Sequence, residues 1–140
     1  VFKVMLALAL SLSISWVIGH LFPHDRPFVD GVGYNFLHHA ADDSFPSDHG
    51  TVMFSAAFAL LSLRLRGMGL LVLAAALPVA WARIFLGVHF PLDMLGAALI
   101  SALGLCVAKV VWQRLGQTLV ALCEALSRRL FSWLPARFTP

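Results

Sequence analysis

Two histidines in this chain, His49 and His89, sit in short polar clusters inside an otherwise apolar sequence. His49 belongs to Phe45-Pro46-Ser47-Asp48-His49-Gly50, and His89 to the stretch from Arg83 through Gly87-Val88-His89-Phe90-Pro91 to Asp93. Polar groups in such a setting are costly, which makes them pointers to chemistry. With Arg26, in His24-Asp25-Arg26-Pro27, the clusters bring together the histidines His49 and His89, the arginines Arg26 and Arg83 and the carboxylate Asp93. That is the inventory needed to bind a phosphate and pass it through an imidazole.

His89 lies just ahead of a helix expected to start at Pro91, and Asp93 falls in the first turn, where the helix dipole favours a carboxylate's charge. A carboxylate reaching back to one ring nitrogen fixes it as N–H, leaves the other as a nucleophile and stabilises the imidazolium that forms. A His–Asp pair by itself serves equally well to cap an interfacial helix; the neighbouring motifs weigh toward catalysis. Arg83 ends an apolar run at the same mouth, and with Arg26 it can neutralise charge on the equatorial oxygens of a phosphoryl group. Either arginine alone reads as a snorkelling side chain. Ser47 has the character of an N-cap whose helix offers amides to an anion. His49, one turn further, is placed to protonate a leaving oxygen.

These residues need a scaffold, and the composition says where it lives. The chain has 140 residues, 60% of them hydrophobic and 12% charged, with a mean hydropathy of +0.86. That is more apolar surface than a soluble domain of this length can hide, so the expected solvent is a bilayer. Apolar segments at Val1–Phe22, Thr51–Leu63, Gly69–Leu86 and Leu92–Val111 predict an all-α transmembrane bundle of four spans. The second is short unless its helix runs from Ser47 to Leu65, and Pro78 should kink the third. Lys3, Arg64, Arg66, Lys109, Arg114, Arg128, Arg129 and Arg137 fall on one side, and Asp25, Asp30, Asp42, Asp43, Asp48 and Asp93 on the other, with the motifs. The excess of basic residues marks its side as cytoplasmic, so the site is expected to face outward.

Residues 1–112 then form the membrane core and 113–140 a C-terminal helix and tail. Leu115, Leu119, Leu122, Leu126 and Leu130 recur at helical spacing, with Trp133 beyond them. This fits an amphipathic helix on an anionic inner leaflet, or equally a cytoplasmic helix packed on its own bundle. Cys106 and Cys123 lie away from the outer face and are expected to be free thiols.

The motifs resemble the signature of the type-2 phosphatidic acid phosphatase superfamily, which includes bacterial acid phosphatases and vanadium haloperoxidases: Lys-x6-Arg-Pro, Pro-Ser-x-His, and Ser-Arg-x5-His-x3-Asp. This chain supplies Arg26-Pro27, Pro46-Ser47-Asp48-His49 and Arg83-x5-His89-x3-Asp93. It departs twice, with Gly19 at the lysine position and Ala82 at the serine; His20 or His24 is the expected substitute for the lysine's charge. The stretches Gly19–Phe28 and Asn35–His49 are most similar to bacterial undecaprenyl-diphosphatases of the bacitracin-resistance type. Members of that kind usually have six spans, so the chain reads as lacking the first two.

The resemblance implies His89 as nucleophile, Asp93 as its orienting partner, His49 as general acid and then base, and Arg26, Ser47, Gly50 and Arg83 as the phosphate cradle, with no metal or cofactor. It further implies hydrolysis of undecaprenyl diphosphate in the bacterial plasma membrane, with a polyprenyl or other lipid phosphate as the only small-molecule partner and no nucleic acid. The loop carrying Tyr34, Asn35, Phe36, His38 and His39 reads equally as a lid or as an ordered interfacial loop. Three other readings stay open: another lipid phosphate as substrate (phosphatidylglycerophosphate, phosphatidate or a lipid A phosphate), a non-catalytic lipid-phosphate binder, and a metal site built from the histidines, of which only His20 and His24 are spaced as a His-x3-His pair.

Overall fold

The computed structural model describes residues 1–32, 34–36 and 38–130. Trp133 and Arg137 lie outside the described residues. Four helices follow one another in alternating directions: α1 (Phe2–Leu21), α2 (Asp48–Ser62), α3 (Arg66–Phe85) and α4 (Pro91–Leu130). No strand occurs among the described residues. α1, α3 and the segment Pro91–Arg129 of α4 are each long and apolar enough to cross a membrane.

α2 differs from expectation. Its 15 residues rise about 22 Å, short of the roughly 30 Å of a hydrocarbon core. The cause is the turn after it: Arg64 takes a left-handed φ of 62° and α3 already begins at Arg66, so the residues that would have formed α2's last turn reverse the chain instead. α2 compensates by its position, packed against α1, α3 and α4 at the centre of the bundle. α3 packs chiefly on α2 and turns Leu70, Leu71, Leu77, Trp81 and Phe85 outward, as a lipid-facing helix should. It continues through Pro78. α4 likewise runs 40 residues with no break near residue 112, so the C-terminal helix is a direct extension of the last span.

Small residues let the backbones approach. α1 buries Ala7, Ser11, Ser15 and Gly19, one per helical turn along a single stripe. Hydroxyls then link the helices where water is absent: Ser15 Oγ stands 3.5 Å from Thr51 Oγ1, and Ser55 Oγ donates to Ser101 Oγ at 3.0 Å. Ser101 passes its own proton to the Thr51 or Ala97 carbonyl, at 3.1 and 2.7 Å. Each such bond contributes on the order of 0.6–1 kcal/mol in a membrane interior.

The two ends of the bundle are chemically distinct. At one end Lys3 lies 5.3 Å over the Trp112 ring, in a depression shared with Ser62, Leu63 and Lys109. At the other end α1 and α3 finish, α2 and α4 begin, and the loop from 22 to 47 folds over them. Cys106 and Cys123 are free and exposed.

Candidate active site

α4 supplies the first piece. Pro91 starts the helix, where its missing N–H costs nothing. Asp93 Oδ2 reaches back to accept the Phe90 N–H at 2.8 Å, a third-residue side chain satisfying the N-cap amide. The same oxygen accepts from Ser44 Oγ at 2.5 Å and stands 3.3 Å from His89 Nδ1. A second acceptor lies closer to that nitrogen: the Ser44 carbonyl, at 2.9 Å. The His89 Nδ1–H is therefore shared between Ser44 and Asp93, and Nε2 is left without a proton of its own.

Ser44 is the residue that sequence reasoning missed. It is fully buried and joins His89 to Asp93 with both its carbonyl and its hydroxyl. Its N–H donates to the His24 carbonyl at 2.7 Å, closing the long loop across its neck. Its neighbour Phe45, before the cis Phe45–Pro46 bond, lays its ring on α4 at Gly96, where an added Cβ would stand 2.3 Å from a ring carbon. Only a glycine there lets this segment settle beside His89.

Arg26 is buried, with 5% of its surface exposed, and every nitrogen is engaged. Nε donates to Asp42 at 2.8 Å, Nη1 to the Val88 carbonyl at 2.9 Å, and Nη2 to the Asp43 carbonyl at 3.2 Å. Nη1 also lies 3.3 Å from His89 Nε2. Burial raises the affinity of Asp42 for its proton, but the Arg26 hydrogen bond and charge together outweigh this and hold the carboxyl below its ordinary value. Arg83 is positioned more loosely. Its Nη2 approaches His39 Nε2 at 3.4 Å, while its Nε is buried with no hydrogen-bond partner among the described residues.

Arg26, Arg83, His49 and His89 line one cavity of about 130 Å³, together with His39, Asp42, Asp43, Pro46 and Asp48. Five of the expected site residues, Arg26, His49, Arg83, His89 and Asp93, are thus brought together at one mouth. Ser47 is the N-cap of α2, but its Oγ is turned inward to accept the Gly50 N–H at 3.3 Å. Gly50 packs against Ala97 and Met94, and neither residue lines the cavity. His20 and His24 do not line it either. His20 bonds the Trp16 carbonyl of its own helix at 2.8 Å; His24 bonds the Asp25 carbonyl at 2.8 Å and meets Phe90 edge-on. The loop histidine that does reach the cavity is His39. Among the described residues no three His, Cys, Asp or Glu side chains converge as a metal-ligand set.

An imidazole nitrogen with its lone pair free, held beside one arginine in a cavity lined by a second, has the components that phosphoryl transfer needs. Comparison with known proteins agrees with it. The chain is 53% identical over 137 residues to the putative undecaprenyl-diphosphatase YbjG of Escherichia coli, covering 98% of this chain and 69% of that protein. It is 36% identical over 90 residues to the undecaprenyl-diphosphatase BcrC of Bacillus subtilis, covering 64% of this chain and 46% of that one. The crystal structure of Aquifex aeolicus LpxE superposes with a TM-score of 0.68 at 26% identity, over 76% of this chain and 64% of that one. The profile of the PAP2 superfamily matches residues 1–117, a span that takes in all four helix starts and every residue of the cavity; the chain belongs to the PAP2 superfamily.

Proposed function

We propose that this chain is a lipid phosphatase that hydrolyses undecaprenyl diphosphate to undecaprenyl phosphate and inorganic phosphate through a phosphohistidine on His89. The observation that carries the reading is the state of the His89 ring: Nδ1 is tied down on the Ser44 carbonyl and Asp93, while Nε2 stands beside Arg26 in a cavity shared with His49 and Arg83. The names of the relatives support a lipid diphosphate as the substrate.

His89 Nε2 attacks the terminal phosphorus and the bond from phosphorus to the bridging oxygen breaks. His49 gives that oxygen a proton as undecaprenyl phosphate leaves. Water then attacks the phosphohistidine, His49 takes its proton, and phosphate departs as Nε2 is freed. Arg26 and Arg83 hold charge on the non-bridging oxygens throughout. The Nδ1–H stays on His89, and Asp93 stabilises the ring while it carries positive charge.

The same reading puts the cavity on the outer face of a bacterial plasma membrane. Lys3, Lys109 and Trp112 gather at the opposite end of the bundle, and a cluster of basic residues belongs on the cytoplasmic side. In intact cells an impermeant thiol reagent should label a cysteine introduced at Val32 or Ala41 and spare one at Gly67; the reverse pattern overturns the orientation. Phosphate release should be measured on a panel of polyprenyl diphosphates, phosphatidylglycerophosphate, phosphatidate and lipid A, with and without EDTA. The reading predicts fastest turnover of the polyprenyl diphosphate, indifference to EDTA and inhibition by orthovanadate, whose trigonal-bipyramidal form mimics phosphorus in transit. Strict dependence on a divalent ion rejects it.

A further inference from the structure

Resting on that phosphatase reading, we propose that His39 is a substrate-binding residue, which donates from Nε2 to a phosphate oxygen beside Arg83 and forms a third cationic arm of the cradle.

Three observations carry this. First, the cavity that holds Arg26, Arg83 and the two motif histidines is also lined by His39, which belongs to no motif. Second, His39 is held in place. Asn35 accepts the His39 N–H at 2.8 Å through Oδ1 and donates through Nδ2 to the His39 carbonyl at 2.9 Å. A single amide side chain thus grips both backbone groups of the residue, a local arrangement that fixes its backbone without help from a helix. Third, the groove beside it holds an unsatisfied donor. Arg83 Nε is a buried donor with no partner among the described residues, and a charged donor left unsatisfied in a buried place is costly unless something comes to fill it. Among the described residues, the side-chain hydrogen-bond contact of that guanidinium is with His39 Nε2, at 3.4 Å.

The ring chemistry follows from the contacts. Nδ1 lies 3.2 Å from the Ala40 carbonyl and 3.6 Å from Asp42, both acceptors, so that nitrogen carries the proton. Nε2 is then the lone-pair nitrogen and accepts from Arg83. An arriving phosphate oxygen draws the Arg83 N–H groups to itself. A proton supplied to Nε2 by solvent or by a singly protonated phosphate makes the ring a double donor, to the Ala40 carbonyl on one side and to the anion on the other. Asp42 supports the imidazolium that results. The segment that was read as a lid or an ordinary loop thereby gains a specific task, and the charge absent at Gly19 is supplied from the loop instead. Gly19 itself has no room to help, since a Cβ there would stand 3.1 Å from the Phe45 carbonyl oxygen.

The test compares the full chain with H39A, H39K and N35A in the same membrane or detergent preparation, reading KM and kcat on the polyprenyl diphosphate and the inhibition constants of inorganic phosphate and orthovanadate. Loss of one charge-assisted hydrogen bond should weaken both inhibitors and raise KM by roughly tenfold to a hundredfold in H39A, with kcat changed less. H39K, which restores a cation, should recover most of the inhibitor affinity; N35A should move the same constants in the same direction by less. If H39A does not fold, as judged by its tryptophan emission, H39Q makes the same comparison and should show the same loss. Parent-like inhibition constants in H39A or H39Q, or an H39K no tighter than H39A, overturn the assignment while leaving the His89 reading intact. A parent chain indifferent to orthovanadate overturns both.

Discussion

The two arginines of the cavity share a chemical type and differ in nearly everything else. Arg26 is buried and spends its nitrogens on Asp42, the Asp43 carbonyl and the Val88 carbonyl, with Nη1 also beside His89. Among the described residues, Arg83 has one hydrogen-bond approach, to His39, and a buried Nε without a partner. One half of the site is therefore assembled by the chain itself, and under the proposed function the other half is completed by the substrate anion. Preorganised groups favour the chemical step because no reorganisation remains to be done at the transition state. Groups that find their partners only on binding favour capture.

The sharpest way to break this contrast is within the assembled half. H89A should lose phosphate release by about 10⁴-fold or more, as removal of a nucleophile does elsewhere, while still binding orthovanadate; near-parental turnover would defeat the mechanism. Next come the arginines themselves. R26A leaves Asp42 and two carbonyls without their donor, so its thermal or denaturant midpoint should fall by an amount on the order of 2–3 kcal/mol, together with its activity. R83A should leave the midpoint within about 1 kcal/mol of the parent and act on KM instead. Equal destabilisation by the two variants would erase the distinction.

S44A is a finer probe, because it removes the hydroxyl on Asp93 and keeps the backbone carbonyl on His89. It should lower kcat by roughly tenfold with little change in KM, the expected cost of one hydrogen bond to a charged group. The smallest effect belongs to D42N. Asp42 is held below its ordinary value in the folded chain, so the pair with Arg26 stabilises above the ordinary carboxylate range. That stability is lost as the pH falls through the lower folded value. In D42N the melting midpoint should lose this part of its acid sensitivity, and activity at neutral pH should change by no more than a few-fold.

These pairs also mark what could be read from the chain beforehand. His89 and Asp93 lie four residues apart across a helix start, and Pro91 announces that start, so their meeting is a matter of local geometry. Arg26, His49 and Arg83 were legible because each sits in a motif of fixed spacing. Ser47 was correctly placed as a cap, yet its hydroxyl turns to Gly50 and away from the cavity, a direction no spacing encodes. Ser44 and His39 could not be singled out. Their contacts with His89 and Arg83 span 45 and 44 residues, and depend on how the loop folds back, which here is settled by an asparagine clamp and a ring laid on Gly96. The length of α2 was misjudged for a similar reason, since Arg64 adopts a backbone conformation that its residue type does not announce. His20 and His24 were attractive for their chemistry alone; their rings are occupied by carbonyls close by in sequence.

Arg26 has one more consequence. Its bonds reach the loop at Asp42 and Asp43 and the α3–α4 turn at Val88, and the same side chain touches the His89 ring. It acts as a buckle: the loop cannot lift without releasing the turn that carries His89. Opening the loop and disabling the histidine are then a single cooperative event. Amide hydrogen exchange at Ser44, whose N–H closes the neck of the loop, should track the fraction of inactive molecules, so that a population of such proteins is divided between working and silent copies, with few at half speed.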